Sequence, residues 1–98
     1  MANILAMIDL DINTADDICS RIAKNARALR KAKGLTQVEL SKKSGVSLGS
    51  LKRFETTGQI SLFSLANLAI ALEADDEFLS LFSKPHYNSI EDVIRENS

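Results

Sequence analysis

The chain is poor in the residues from which reactive centres are built. Its 98 residues include one cysteine, Cys19, and one histidine, His86, far apart in sequence. A lone thiol closes no intrachain disulfide, and the two residues together do not give the ligand spacing of a zinc site. No glycine loop of the kind that cradles phosphate is present, and no nucleophile stands in evident reach of a base. No catalytic residue, metal or cofactor is therefore expected, and the chain does not read as an enzyme. Adjacent Asp75, Asp76 and Glu77 suit a helix start, where the dipole favours negative charge, better than a metal cluster. Long apolar runs are missing as well. None approaches the roughly 20 residues needed to cross a bilayer. Ile4 to Ile8 is too short for the apolar core of a signal peptide and has no basic residue ahead of it, so a soluble, cytoplasmic chain is the expectation. There is one proline, Pro85, and no internal repeat, hairpin signal or low-complexity stretch. The only strand-like pattern lies at one end, where apolar residues at 4, 6, 8, 10 and 12 alternate. It fits either a strand that pairs with a partner chain or a frayed tail.

Positive charge, by contrast, is concentrated. Residues 21 to 53 hold ten of the twelve Lys and Arg residues and a single carboxylate, Glu39. The ten are Arg21, Lys24, Arg27, Arg30, Lys31, Lys33, Lys42, Lys43, Lys52 and Arg53, so a block of about +9 is hidden within a net charge of −1. A one-signed field confined to a third of a small domain points to a polyanionic partner, of which nucleic acid is the commonest. The acidic flanks would limit nonspecific adhesion.

Apolar periodicity and its punctuation predict an all-helical fold. Gly34, Gly45 and Gly58 each follow an apolar-periodic segment, with a Ser, Thr or Asp ahead of the next. A first helix over about 16–33 places Ile18, Ile22, Ala26 and Leu29 on one face. Thr36 to Glu39 forms a capping box that opens a short helix ending near Ser44. Gly45 supplies a tight turn with Val46 pointing inward, and Ser47 caps a third helix running through Glu55, with Leu51 and Phe54 facing the core. Ser61 caps a fourth helix bearing Leu62, Leu65, Leu68, Ala69 and Leu72. Asp75 or Asp76 opens a fifth, with Phe78, Leu79, Leu81 and Phe82, that halts before Pro85. Beyond a polar hinge with His86 and Tyr87, Ser89 to Asp92 resembles another cap, opening a stretch with Ile90, Val93 and Ile94 that is too short to stand alone. The expected organisation is an N-terminal arm over 1–15, a helical domain over 16–83, and a hinge with a short helix over 84–98.

Three runs of residues carry a family resemblance: Leu35-Thr36-Gln37-Val38-Glu39-Leu40, then Gly45-Val46-Ser47, then Leu51-Lys52-Arg53-Phe54-Glu55. Together they resemble the helix-turn-helix of the Cro and phage-repressor, or Xre-type, family, over roughly residues 20 to 82. The resemblance implies a five-helix, lambda-repressor-like domain with short extensions, which binds double-stranded DNA by placing its third helix in the major groove while the second crosses the backbone. It puts Ser47, Leu48, Gly49, Lys52 and Arg53 at groove-facing positions and makes Gln37 a phosphate or helix-anchoring contact. Arg53 is the best candidate reader, since a guanidinium can donate bidentately to guanine. Lys52 serves as a point charge near phosphate, and Leu48 offers a thymine methyl an apolar surface. Many relatives carry amides where this chain has Leu48 and Gly49, so direct readout is thin. The stretch 56–61 lacks the basic residue common among relatives, so phosphate neutralisation falls to Lys42, Lys43 and Lys52, aided by Lys24 and Arg27. Arg30 and Glu55 occupy positions that in this family form an internal ion pair.

Phe63 and Ile70 lie seven apart on the fourth helix, away from the stripe of Leu65, Leu68 and Leu72. Apolar residues there want cover, either from a second copy in a homodimer on a pseudo-palindromic operator or from the chain's own ends. With no room for a sensor domain in this sequence, regulation is expected from a partner. The segment from Phe54 through Phe82 and the acidic tail is similar to HipB-like antitoxins, which bind operator DNA and hold a HipA-like kinase toxin. The expected function is thus a dimeric DNA-binding repressor, with antitoxin as a narrower version. The alternative is a protein-interaction module that sequesters a partner without reading DNA.

Overall fold

Hydroxyls set the boundaries of this fold. The computed structural model describes residues 14–85 and residue 94. Among them are five helices and no strand: α1 (Ala15–Ala32), α2 (Gln37–Ser44), α3 (Leu48–Thr57), α4 (Leu62–Ala71) and α5 (Asp75–Leu79). The first four each start one residue after a Thr or Ser whose oxygen accepts a backbone N–H two positions into the helix. Thr14 and Asp17 form one reciprocal capping box, and Thr36 and Glu39 a second. Ser47 accepts from the Ser50 N–H and Ser61 from the Ser64 N–H, both at 3.1 Å. Such a cap contributes about 1 kcal/mol. The fifth helix departs from expectation: Ala74 stands at its cap with no side-chain hydrogen bond, and the carboxylates of Asp75, Asp76 and Glu77 occupy the first turn, where the dipole favours them.

Helix ends differ from the sequence reading in two places. α3 runs two residues past Glu55, to Thr57, where Gly58 closes it with a left-handed φ; the Thr56 and Thr57 hydroxyls donate to the carbonyls of Lys52 and Arg53 at 2.8 and 2.7 Å. α5 stops at Leu79, short of the expected Phe82. There the Ser80 hydroxyl donates to the Glu77 carbonyl at 2.8 Å and that of Ser83 to the Ser80 carbonyl at 2.6 Å, offering the backbone an alternative to further helix. Leu79, Leu81 and Phe82 are exposed, and Phe82 adopts a left-handed φ of 58°.

α1 packs on α3, α2 on both α3 and α4, and α5 on α4. Leu40, Leu51, Phe54 and Leu68 are completely buried at their meeting point, joined by Ala23, Val46, Ala71 and Leu72. Of the face expected for α1, Ala26 and Leu29 pack against the core and Ile18 and Ile22 do not. Its inward stripe runs through Cys19, Ala23, Ala26 and Arg30, while Ile18 and Ile22 are 48% and 39% exposed. At the start of this stripe the two helices come close: a Cβ on Gly58 would lie 2.9 Å from the Cys19 carbonyl carbon, so the end of α3 meets the α1 backbone at Cys19. Leu62, expected in the core stripe of α4, is 70% exposed, since its first turn is left uncovered by the described residues. The strand or tail at 4–12, the arm as far as residue 13, the hinge at His86 and Tyr87, and the segment after it apart from Ile94 lie outside the described residues.

Candidate nucleic-acid interface

The turn between α2 and α3 is fixed by serines as well as by glycine. Ser41 donates its hydroxyl to the Val46 carbonyl at 2.6 Å, while the Ser44 hydroxyl accepts the Val46 N–H at 3.1 Å. Gly45 takes a φ of 77°, which turns the chain so that Val46 enters the core beside Leu40 and Leu51. With α2 anchored by Leu40 and α3 by Leu51 and Phe54, the opposite surface of α3 is presented to solvent. Ser47, Gly49, Ser50, Lys52 and Arg53 are exposed there, Leu48 is half-buried, and Lys42 and Lys43 stand exposed in the last turn of α2. No carboxylate lies in the first turn of α3.

Behind this surface sits a charged brace. Glu55 has a side chain only 4% exposed, and Arg30 holds it bidentately, with Nε donating to Oε2 at 2.7 Å and Nη2 to Oε1 at 2.9 Å. The remaining Arg30 nitrogen, Nη1, donates to the Leu35 carbonyl at 2.8 Å. Gln37, on the first turn of α2, donates Nε2 to Glu55 Oε1 at 2.9 Å, so of its two expected roles the structure displays the helix-anchoring one. Arg27 approaches the same oxygen at 3.9 Å while staying half exposed. One carboxylate thus ties α1, α2, α3 and the loop at Leu35 together. Burial pushes the Glu55 carboxyl upward, but hydrogen bonds from Arg30 and Gln37 and the charges of Arg30 and Arg27 outweigh it and hold the group below its ordinary value. Every buried side-chain polar atom among the described residues has a partner.

The brace subtracts from the basic block. Arg30 is 6% exposed and spent on Glu55, and Lys33 pairs with Glu73 at 3.1 Å, where hydrogen bonding and the charges of Lys33 and Lys43 hold the carboxyl low. The other eight cations of the block are exposed. The Lys33 pair was invisible to sequence reasoning, since forty residues separate its members. A second omission is the neighbourhood of Arg53. Ser50, Arg53, Gln59, Ile60, Ser61 and Ser64 line a hollow of about 360 Å³ between α3 and the start of α4, with one cation, three hydroxyls, one carboxamide and no acid. The loop that lacks a basic residue therefore gathers neutral hydrogen-bonding groups around an arginine on the neighbouring helix. Phe63 and Ile70 are 78% and 63% exposed on α4. No group of His, Cys, Asp or Glu among the described residues is placed to hold a metal ion, and no helix among them is long and apolar enough to cross a membrane.

A family model described as helix-turn-helix matches residues 27–79, more than half of the chain, from the second half of α1 through α5. No curated protein and no solved structure matches the chain.

Proposed function

Because the chain belongs to the helix-turn-helix family of Xre, or lambda-repressor-like, type, and that family supports a DNA-binding regulator in general, we propose that it is a sequence-specific repressor that grips a pseudo-palindromic operator as a homodimer. The observation that carries this reading is the division of α3: Leu51 and Phe54 are 1% exposed, while Ser47, Gly49, Ser50, Lys52 and Arg53 face solvent on a surface free of first-turn acid. In this mechanism α3 enters the major groove. Arg53 donates its planar fork to a guanine edge, Leu48 meets a thymine methyl, and Lys42, Lys43 and Lys52 neutralise phosphates. The brace on Glu55 fixes the angle at which α3 is offered. Two copies joined through the apolar residues of α4 would set half-sites about 34–36 Å apart. The functional unit is the 16–83 domain, with the arm and the C-terminal segment as accessory parts, working in the cytoplasm. Pairing with a HipA-like kinase toxin is a narrower form of the same proposal.

A salt titration of binding to the DNA upstream of its own gene, with random duplex as competitor and Arg53→Ala alongside, tests the reading. Specific, salt-steep binding that the substitution weakens supports an operator-reading repressor. Binding indifferent to sequence, or none, favours a partner-sequestering module, for which the exposed Phe63, Ile70, Leu79 and Phe82 supply an apolar surface.

A further inference from the structure

α5 packs on α4, and its Phe78 is half-buried, yet Leu79, Leu81 and Phe82 stand exposed among the described residues, Phe82 completely so. Phe82 also holds a φ of 58°, a conformation that a bulky residue adopts only at a cost. Three large apolar side chains within four positions are the kind of surface that marks an interaction site. The charge beside them is of one sign. Asp75 and Asp76 stand four and three positions before Leu79, and so neighbour it on the helix surface, with Glu77 between. All three acids are exposed, and none is in an ion pair among the described residues. Lys84 is the one cation between residues 54 and 85.

Charge selects among the occupants such a surface could take. The chain's own ends are acidic: residues 1–13 contain Asp9 and Asp11 and no Lys or Arg, and residues 86–98 contain Glu91, Asp92 and Glu96 against Arg95 alone. Either end would bring like charge to Asp75, Asp76 and Glu77. Pairing of α5 with its counterpart in a second copy would do the same, and the second copy's basic block is the surface that the DNA-binding reading uses. An anionic bilayer or a nucleic acid is repelled for the same reason. What complements the site is an apolar stripe edged by Lys or Arg. We propose that the end of α5, with Leu79, Leu81 and Phe82 as its apolar floor and Asp75, Asp76 and Glu77 as its acidic edge, docks a basic amphipathic helix of a partner protein. The site lies on a different element from α3; the DNA-binding reading enters only in reserving the second copy's basic block, and duplex binding tests that reading separately.

The probe is a labelled synthetic peptide of about five helical turns, with Leu at i, i+3, i+4 and i+7 and Lys elsewhere. The same peptide with Glu for every Lys is the control. Anisotropy reads binding to the full chain, with light scattering and thermal melting on the same samples. The Lys peptide should bind about tenfold or more tightly than the Glu peptide. Phe82→Asn puts a residue that accepts left-handed φ at that position, so it should melt at or above the wild-type temperature yet bind the Lys peptide about tenfold more weakly. Asp75→Asn, Asp76→Asn and Glu77→Gln together should abolish the preference for Lys over Glu. Glu91→Gln, Asp92→Asn and Glu96→Gln, equal in charge, should leave it intact. If the first triple variant melts early, Phe82→Asn alone decides. No binding of the Lys peptide, unchanged binding by Phe82→Asn, or equal effects of the two triple variants overturns the proposal. A lowered melting temperature for Phe82→Asn would place Phe82 inside the fold, and loss of a dimer's mass would assign the surface to a second copy; each overturns it as well.

Discussion

At the scale of single residues, Glu55 governs the architecture, because three side chains from two other helices converge on its oxygens. Its substitution by alanine strands a buried guanidinium, and a loss of about 3–5 kcal/mol is expected in urea unfolding. DNA affinity should fall with it, since α3 loses its tie to α1 and α2. An unchanged unfolding midpoint would show that the pair does not hold the fold. Titration gives a second handle. A carboxyl held below its ordinary value contributes stability above that value and loses it as pH falls. The contribution should therefore be complete at neutral pH, start to fade near 4.5, the ordinary glutamate value, and vanish below the lower native one. Melting temperatures recorded from pH 7 to pH 3 should fall more steeply for the wild-type chain than for Glu55→Gln, which has no carboxyl to titrate there.

At the scale of the element, two glycines with nearly the same φ should respond differently to alanine. At Gly45 a new Cβ meets nothing within 4 Å, so the cost is conformational alone, about 1–2 kcal/mol. At Gly58 the same φ strain is joined by a contact of 2.9 Å with the Cys19 backbone, which cannot rotate away, and the total should rise to about 2–4 kcal/mol. Thermal melting of the two variants side by side measures the difference. Equal losses would mean that α1 and α3 separate without penalty.

At the scale of the whole molecule, the charge block and the apolar surface of α4 lead to two measurements. If the proposed homodimer makes about four to five phosphate contacts per monomer, log K should fall with log salt at a slope of about −7 to −9. A slope near zero is incompatible with a DNA-binding block. Phe63→Glu places a charge on the exposed α4 stripe; if the proposed homodimer forms through it, the mass seen by light scattering should fall from dimer to monomer and operator binding should weaken. An unchanged mass would point instead to cover by the chain's own ends.

Much of this protein was legible in its sequence because local rules act over three or four residues. The capping box at Thr36, the caps at Ser47 and Ser61, the turn at Gly45 and the inward Val46, Leu51 and Phe54 all follow from hydrogen-bonding capacity and helical spacing. The family resemblance added the Arg30 and Glu55 positions and the exposed face of α3. Other features depended on which elements meet. Apolar periodicity favoured Ile18 and Ile22 over a stripe containing Ala23 and Arg30, because periodicity cannot register a buried guanidinium or a close backbone crossing at Gly58. The third role of Arg30, on the Leu35 carbonyl, the Lys33 pair with Glu73 and the hollow beside Arg53 each join residues that no fixed spacing relates. Sequence alone determined the starts of α2, α3 and α4, the turn between α2 and α3, and where positive charge gathers. Tertiary packing decided which of those cations are buried or paired, as Arg30 with Glu55 and Lys33 with Glu73, since that depends on neighbours that only the folded chain brings together.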